Sequence, residues 1–214
     1  MTKKPNRTRR GEELLREIAQ WVARVGIVNF SLRAAADAVG VAAPTLLRHF
    51  GSREGLLEAL LIERERIDVA SVRDAVAREG SISAALRAAA TRDVPVSVES
   101  VRLDVQLMAV AHSGDKRWLS YEKRSADAMM SEIRKHLLAE GLSESTAEAL
   151  ACFSLAAGAG FAQQYSLTRD DDALQRNYRL LFTTLVDLID RERRKPAKLA
   201  RTTAQNRHAQ RATS

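Results

Sequence analysis

The amino-acid sequence predicts an all-α protein. Aromatic residues make up only 5% of the 214 residues, and runs of strand-forming residues bounded by turns do not occur. Alanine, leucine, arginine and glutamate instead recur at intervals of three and four, the spacing that puts side chains on one face of a helix. With 45% hydrophobic residues, the chain has enough apolar surface to bury a core. We therefore expect about nine helices.

The helix boundaries follow from glycines, capping residues and prolines. The first helix is expected at about residues 11–25, because Leu14, Ile18 and Val22 repeat every four residues before Gly26. Two short helices should follow, and then a long one that begins at the Ser52 cap. The remaining helices are expected at about 81–93, 97–112, 115–140, 143–168 and 170–195, with three aspartates favouring the start of the last one.

Residues 31–57 have the pattern of a helix, a tight turn and a second helix. The first helix places Leu32, its alanines at 35 and 36, and Val39 on one buried face. Gly40 then ends it through positive φ, and Val41 fills the angle between the two helices. This spacing is typical of a DNA-binding helix-turn-helix.

The second helix of this motif is predicted to begin near residue 42 or 43, because Pro44 is tolerated only in a first turn. Leu46 and Phe50 lie four residues apart and should be buried. The outward side, which a recognition helix turns to base edges, then consists of Ala43, Pro44, Leu47 and Arg48. The alternative is a three-helix core that binds no DNA, with the turn, apolar faces and cations coinciding by accident.

This segment resembles the TetR family of transcriptional regulators. The matching positions are Ser31, Ala35, Ala36, Gly40, Val41, Thr45, Leu46, His49, Phe50, Ser52, Leu56 and Leu57. Leu47 stands where the family has a tyrosine, Ala42 replaces serine or threonine, and Arg53 replaces a lysine. The resemblance implies DNA contacts from Ser31, Arg33, Ala43, Pro44, Thr45, Leu47, Arg48, His49 and Arg53, with base reading by Arg48 and backbone contacts by Thr45, His49 and Arg53.

Charge is unevenly distributed along the chain. Residues 1–60 carry a formal charge of +4, residues 61–194 carry −2, and residues 195–214 carry +5, within a total of +7. We predict a DNA-binding domain at 1–57 with a basic arm, which contains Lys3, Lys4, Arg7, Arg9 and Arg10. A ligand-binding and dimerisation domain should follow at 58–194, and a disordered basic tail at 195–214. The alternative for the arm is a solvated end.

The last two helices are predicted to form a dimer interface. In the final helix, the apolar stripe consists of Leu174, Tyr178, Leu181, Leu185 and Leu188, widened by Phe182 and Ile189. Residues 156–160 are only alanine and glycine, which permits close approach of helices. Packing within one subunit is the alternative, whereas the family resemblance implies a four-helix bundle between two subunits. A two-fold dimer would bind a near-palindromic operator.

The resemblance also implies a small-molecule effector pocket in the middle of the chain. Candidate lining residues are Asp104, Met108, Trp118, Tyr121, Met129 and Phe153. Asp104 lies on an apolar stripe and needs a partner if it is buried. The alternatives are a surface salt bridge for Asp104 and ordinary core packing for the large side chains.

Other classes of protein find little support in the sequence. An apolar run of 18 residues and a signal peptide are both missing, so we expect a cytoplasmic protein that does not enter a membrane. The single Cys152 and four scattered histidines predict neither a disulfide nor a metal site, and we expect no cofactor. Residues 120–123 match S-x-x-K, but the other motifs of such enzymes are absent. The TetR resemblance therefore implies a homodimeric regulator, expected to be a repressor that an effector releases from DNA. An effector-independent architectural DNA-binding protein is the alternative.

Overall fold

The computed structural model of the protein describes residues 9–27, 30–91, 96–112 and 114–194. Over these residues it contains nine helices and no strand, which confirms the predicted all-α class. The helices are α1 (Arg9–Val25), α2 (Leu32–Ala38), α3 (Ala43–Phe50), α4 (Arg53–Glu79), α5 (Ile82–Thr91), α6 (Val98–Ala111), α7 (Lys116–Ala139), α8 (Glu144–Thr168) and α9 (Asp171–Arg194). Lys3, Lys4, Arg7 and the basic tail at 195–214 lie outside the described residues.

The N-terminal helices enclose a dry apolar core. Leu14 and Ile18 of α1, Leu46 of α3 and Leu56 of α4 are fully buried in it. The same cluster continues into Leu61 and includes Leu103, Leu107 and Ala111 of α6 and Trp118 of α7. The core of the helix-turn-helix is therefore continuous with α6 and α7, and the boundary at residue 57 stays a prediction.

The C-terminal helices share two further apolar clusters. Ile82 of α5 and Leu137 of α7 pack with Leu150 of α8 and with Leu181 of α9 in one cluster. The other cluster joins α6, α8 and α9 through Val101, Ala162, Tyr165 and Leu174. Burial of the apolar side chains in these clusters is the main contribution that holds the helices together.

Most of the α9 stripe that we assigned to a second subunit is buried inside one subunit. Leu174, Leu181, Leu185 and Ile189 are at most 5% exposed and belong to the two C-terminal clusters. The sequence predicts a stripe broad enough for two partners, and α5 and α8 of the same subunit cover this part of it, so contact of α9 with a second subunit stays a prediction. Leu180, one residue along, points the other way and is 66% exposed.

Helix α8 has an unusually apolar outer face. Its exposed residues include Cys152, Phe153, Ala156, Ala159, Gly160 and Leu167. By length and composition, with a mean hydropathy of 1.2 over its best window, α8 is also the one described helix that could cross a membrane. Length and composition do not separate a membrane span from a helix that packs against other protein.

Candidate DNA-binding surface and internal cavity

The turn between α2 and α3 has the predicted geometry. The Ser31 hydroxyl oxygen caps α2 by accepting a hydrogen bond of 3.1 Å from the N–H of Ala34. Gly40 has φ of +67°, a conformation that other residues rarely adopt. Beyond it, the N–H of Val41 donates to the carbonyl oxygen of Ala36 at 3.0 Å, which closes the turn. Ser31 therefore has a capping role in the protein, besides any contact with DNA.

Helix α3 presents a small, mixed surface to solvent. Pro44, Leu47 and Arg48 are exposed, and Leu47 has 45% of its surface accessible. Thr45 and His49 are half-buried, whereas Leu46 is fully buried. Three of the four residues predicted to face outward are therefore on the surface.

Ala43 differs from the other three residues because it is half-buried and packs against the N-terminal core. Ser31 and Arg33 are exposed at the start of α2, beside the turn. The candidate DNA-binding surface thus consists of the outer side of α3, with Ser31 and Arg33 near it. Contact of each residue with DNA stays a prediction.

Arg53 is held by the loop that precedes α2. Its Nε donates a hydrogen bond of 2.9 Å to the carbonyl oxygen of Phe30, and its guanidinium lies 5.5 Å from the centre of the Phe30 ring. Its Nη1 also lies 3.6 Å from a carboxylate oxygen of Glu54. The side chain remains 44% exposed. Arg53 therefore ties the start of α4 to the helix-turn-helix, a role that the sequence motif does not reveal.

Gly55 permits the close approach of α4 to α3. A Cβ atom added to Gly55 would lie 2.1 Å from the backbone carbonyl oxygen of Phe50, well inside van der Waals contact. The Ser52 hydroxyl oxygen accepts from the N–H of Gly55 at 3.0 Å and caps α4 at the same point. The sequence does not reveal this role of Gly55, because the approach of α3 cannot be read from local spacing.

A cavity of about 690 Å³ lies among α4, α5, α6, α7, α8 and α9. Its walls are mainly apolar, with Leu107, Met108, Met129, Leu155, Leu181 and Phe182 among the lining residues. Of the six candidate ligand residues, Asp104, Met108, Tyr121 and Met129 line this cavity. A cavity of this size and character is typical of small-molecule sites.

Two candidate ligand residues lie elsewhere. Trp118 is 7% exposed and belongs to the N-terminal core, where α7 packs against the helix-turn-helix. Phe153 is 43% exposed on the outer face of α8. Neither lines the cavity among the residues described. Residue size does not tell which side of a helix faces a cavity, and contact of these two residues with a ligand stays a prediction.

One end of the cavity is polar. Arg64 of α4 donates to both carboxylate oxygens of Asp104 on α6, with 2.8 Å between Nη2 and Oδ2. The same Nη2 lies 2.6 Å from Oδ1 of Asp68, one turn along α4. Their side chains are only 15–29% exposed. Asp104 therefore has the ion-pair partner that the sequence requires of it, but the pair forms part of a cavity wall rather than an open surface.

Burial changes the acid-base properties of this polar end. It raises the pKa of Asp68 to about 7, although the charge of Arg64 acts in the opposite direction. Burial likewise raises the pKa of Asp104 and of Glu122, another carboxyl group in the lining. The pKa of the Tyr178 hydroxyl rises to about 12, first through burial and then through the charge of Asp104. Low solvation and mutual repulsion between acids both favour the protonated forms.

A side chain of α6 connects the cavity wall with the DNA-binding region. Gln106 Oε1 accepts a hydrogen bond of 2.9 Å from the backbone N–H of Ile27, in the segment that follows α1. The neighbouring α6 residues Asp104, Leu107 and Met108 line the cavity. A shift of α6 at the cavity would therefore also displace the end of α1.

Over the described ranges, no group of histidine, cysteine or carboxylate side chains is arranged to hold a metal ion.

A helix-turn-helix on an otherwise helical chain is typical of DNA-binding regulators, and comparison with known proteins shows a family similarity over this segment. Residues 14–60 match the sequence model of the bacterial regulatory proteins of the tetR family. The predicted TetR resemblance is therefore confirmed over this segment. No match was found among curated proteins.

Solved structures of regulators have the same fold. A transcriptional regulator from Rhodococcus sp. Rha1 is 17% identical, with a TM-score of 0.66 over 83% of this chain and 96% of that one. A TetR regulator from Legionella pneumophila is also 17% identical, with a TM-score of 0.66 over 84% and 98% of the two chains. The fatty acid degradation regulator FadR from Bacillus halodurans is 13% identical, with a TM-score of 0.63 over 86% and 97%. The likeness therefore extends through both helical regions.

Proposed function

We propose that this DNA-binding regulator is a homodimeric repressor, released from a near-palindromic operator when a small molecule occupies the cavity. The observation that carries the proposal is the path of α4. This helix begins at Arg53 beside the recognition helix and continues to Arg64 and Asp68 in the cavity wall. One helix thus contributes residues to both candidate sites.

The outer side of α3 supports sequence-specific DNA binding. Arg48 is exposed near the end of the helix, where its guanidinium can reach a base edge, most readily guanine. Pro44 and Leu47 supply an apolar surface that can meet thymine methyl groups. Arg33 and Arg53 flank α3 with positive charge that suits backbone phosphates.

The outer face of α8 supports a two-fold dimer. Gly160 leaves room for a helix of a second subunit to approach closely, and Phe153 and Leu167 add apolar surface beside it. Leu180 of α9 is a further exposed apolar residue. Covering such a face with a second copy removes apolar surface from water and so lowers the free energy. Two recognition helices related by a two-fold axis would bind two inverted half-sites.

The cavity and its connections support release by an effector. Arg64 on α4 and Asp104 on α6 both line the cavity, and their ion pair couples the two helices. At their other ends, α4 begins next to α3, and α6 holds the segment after α1 through Gln106. A ligand that moves α4 relative to α6 therefore changes the position of the helix-turn-helix.

Since the target is DNA, we propose that the protein acts in the cytoplasm and needs no cofactor.

Linked binding measurements test the proposal. A compound that raises the melting temperature would be titrated into the protein with and without an operator duplex, and the duplex would be titrated with and without the compound. We expect the compound to weaken operator binding by the same factor as the operator weakens compound binding. A compound that occupies the cavity without changing DNA affinity would count against effector control and favour an architectural DNA-binding protein.

A further inference from the structure

The charges that line the cavity do not balance. Its lining includes three carboxyl groups, those of Asp68, Asp104 and Glu122, against the guanidinium groups of Arg64 and Arg124. Arg64 contacts both aspartates. Arg124 is directed away from them, since it pairs with Glu65 at 3.4 Å, lies 4.6 Å from the Tyr121 ring centre and is 53% exposed. Among the described lining residues, Arg64 is therefore the one cation in contact with these acids, and it contacts two of the three.

Glu122 is the acid without an ion-pair partner, and the opposing charge that acts on it is that of His112 on the exposed end of α6. Within the described part of the chain it has no hydrogen-bond or ion-pair partner, although it is half-buried. Its charge and those of Asp68 and Asp104 repel one another, because Glu122 disfavours ionisation of Asp68 and Asp104 disfavours ionisation of Glu122. The three acids thus come from α4, α6 and α7 and converge on one end of one cavity. A buried negative charge is costly unless a positive group compensates it.

The rest of the cavity selects for an apolar molecule. Leucine, methionine, alanine and isoleucine side chains form most of the walls. The aromatic rings of Tyr121, Tyr178 and Phe182 also line the cavity, and ring faces attract cations. The site therefore combines apolar walls, which bind through loss of water contact, with a polar end where acids outnumber cations.

We infer that the effector is a lipophilic amine, with its protonated nitrogen beside Asp68 and Glu122 and its apolar body against the walls of the cavity. This inference rests on the proposed function, in which the cavity is the effector site. A carboxylate ligand would add a fourth acid and compete with Asp68 and Asp104 for the single guanidinium of Arg64. A neutral ligand would leave the acids uncompensated. The amine alone supplies the missing charge and a hydrogen-bond donor.

Two matched series of probes test the ligand class on the full-length protein. One series consists of 9-(aminomethyl)anthracene, 9-anthracenemethanol and 9-anthracenecarboxylate, and the other of dodecylamine, dodecanol and dodecanoate. Within each series the apolar body is constant and the charge changes. We expect the amine to bind about tenfold more tightly than the alcohol, as charge-assisted hydrogen bonds allow, and the carboxylate to bind most weakly. Calorimetric titration below the micellar range measures the affinities.

Charge-neutral variants locate the amine. Glu122→Gln should reduce amine affinity about tenfold and change alcohol affinity by less than about twofold. Asp127→Asn is the matched control, because Asp127 is exposed on the same helix and does not line the cavity. It should leave both affinities unchanged.

The outcomes separate this inference from the proposed function. Equal binding of all three probes, or preference for the carboxylate, would overturn the amine assignment while keeping the cavity as a ligand site. An amine preference that Glu122→Gln leaves intact would likewise overturn it. Failure of every probe in both series to bind would instead contradict the cavity as an effector site, and the amine assignment would fall with it.

Discussion

Gln106 on α6 accepts a hydrogen bond of 2.9 Å from the backbone N–H of Ile27, 79 residues earlier in the chain. The neighbouring Gly26 is also close to this side chain, since a Cβ added at that position would lie 3.3 Å from the same oxygen. This contact joins the cavity wall to the segment between α1 and α2. It is therefore a point where ligand binding and DNA binding are expected to be coupled.

Replacement of Gln106 by leucine should weaken that coupling. The Ile27 N–H would lose its acceptor, at a cost of about 1 kcal/mol in the free energy of unfolding. We expect the effect of a cavity ligand on operator affinity to shrink, while ligand affinity without DNA stays nearly constant. Gln106→Glu keeps an acceptor oxygen and should retain the coupling. Equal coupling in the leucine variant and the wild type would contradict this role.

Arg48 and Arg53 should affect DNA binding in different ways. Arg48→Ala should cost about 1–3 kcal/mol of binding free energy and flatten the preference at one operator position. Arg53→Ala should weaken binding to all sequences alike and reduce the salt slope by roughly one. Affinities for the operator and its single-base variants, measured at several salt concentrations, separate the two. Unchanged base preferences after Arg48→Ala would rule out base reading by Arg48.

Arg53→Ala should also lower stability, unlike Arg48→Ala. The substitution removes the hydrogen bond to the Phe30 carbonyl oxygen and the contact with the Phe30 ring. We expect a loss of about 1 kcal/mol in the free energy of unfolding. Thermal unfolding of the two variants, side by side, measures the difference. Equal melting temperatures would mean that the Phe30 contacts contribute no net stability.

Leu180 and Leu181 should respond differently to replacement by aspartate. Leu180 is 66% exposed, so Leu180→Asp should leave the fold intact and convert a dimer to monomers. Leu181 is 5% exposed, and Leu181→Asp should instead lower the free energy of unfolding by at least about 3 kcal/mol, because it buries a carboxylate in an apolar cluster. Sedimentation and thermal unfolding of both variants test this. A wild-type protein that sediments as a monomer at micromolar concentration would exclude the dimer.

Gly55→Ala should disturb the junction of α3 and α4. The added methyl group would meet the Phe50 carbonyl oxygen at 2.1 Å, so one of the two helices must move. We expect a loss of about 1–3 kcal/mol in stability, together with weaker DNA binding. Gly158→Ala is the control for stability, because a Cβ there would meet only the Tyr178 hydroxyl oxygen, at an ordinary contact distance of 3.7 Å. Similar melting temperatures for the two variants would show that the junction adapts freely.

The stability of the protein should depend on the ionisation of Asp68. Its pKa rises from 3.8 to about 7 on folding, so the folded state keeps a proton that the unfolded chain releases near pH 4. The stabilising contribution is complete below about pH 4 and is lost as the pH rises to about 7. Asp68 shares the polar end with Arg64, Asp104, Glu122 and Tyr178, and the other raised acids act in the same direction.

Asp68→Asn should therefore flatten the fall in the free energy of unfolding between about pH 4 and 7. Denaturant unfolding at a series of pH values measures the slope. The exposed Asp127→Asn serves as the control and should leave the slope unchanged. An identical slope in the wild type and in Asp68→Asn would show that Asp68 ionises normally in the folded protein.

Local sequence pattern was sufficient to predict the helices and the helix-turn-helix. Gly40 and Leu46 occur at spacings that only a few backbone conformations satisfy, and the structure has a positive φ at Gly40 and full burial at Leu46. The TetR resemblance rested on these same positions, and the family match confirms it. Contacts within about ten residues are encoded in spacing and side-chain type.

Contacts between distant segments could not be predicted in this way. The partner of Asp104 is Arg64, forty residues earlier, and that of Arg53 is the carbonyl of Phe30. Which side of a helix faces a cavity depends on how several helices pack, so the sequence could not show that Trp118 and Phe153 lie away from the large cavity. The same reason explains why an apolar stripe on α9 did not reveal whether it covers another subunit or its own. Periodicity shows that a face is buried but not what buries it.

Selection of bound duplexes from a random pool tests the central claim most directly. The full-length protein would be incubated with random double-stranded DNA at fixed salt, and the bound fraction amplified and sequenced over several rounds. We predict an enriched near-palindrome with two inverted half-sites, whose base preferences weaken at one position of each half-site in Arg48→Ala. Uniform recovery of unrelated sequences, by a protein that still binds DNA, would contradict a sequence-specific regulator.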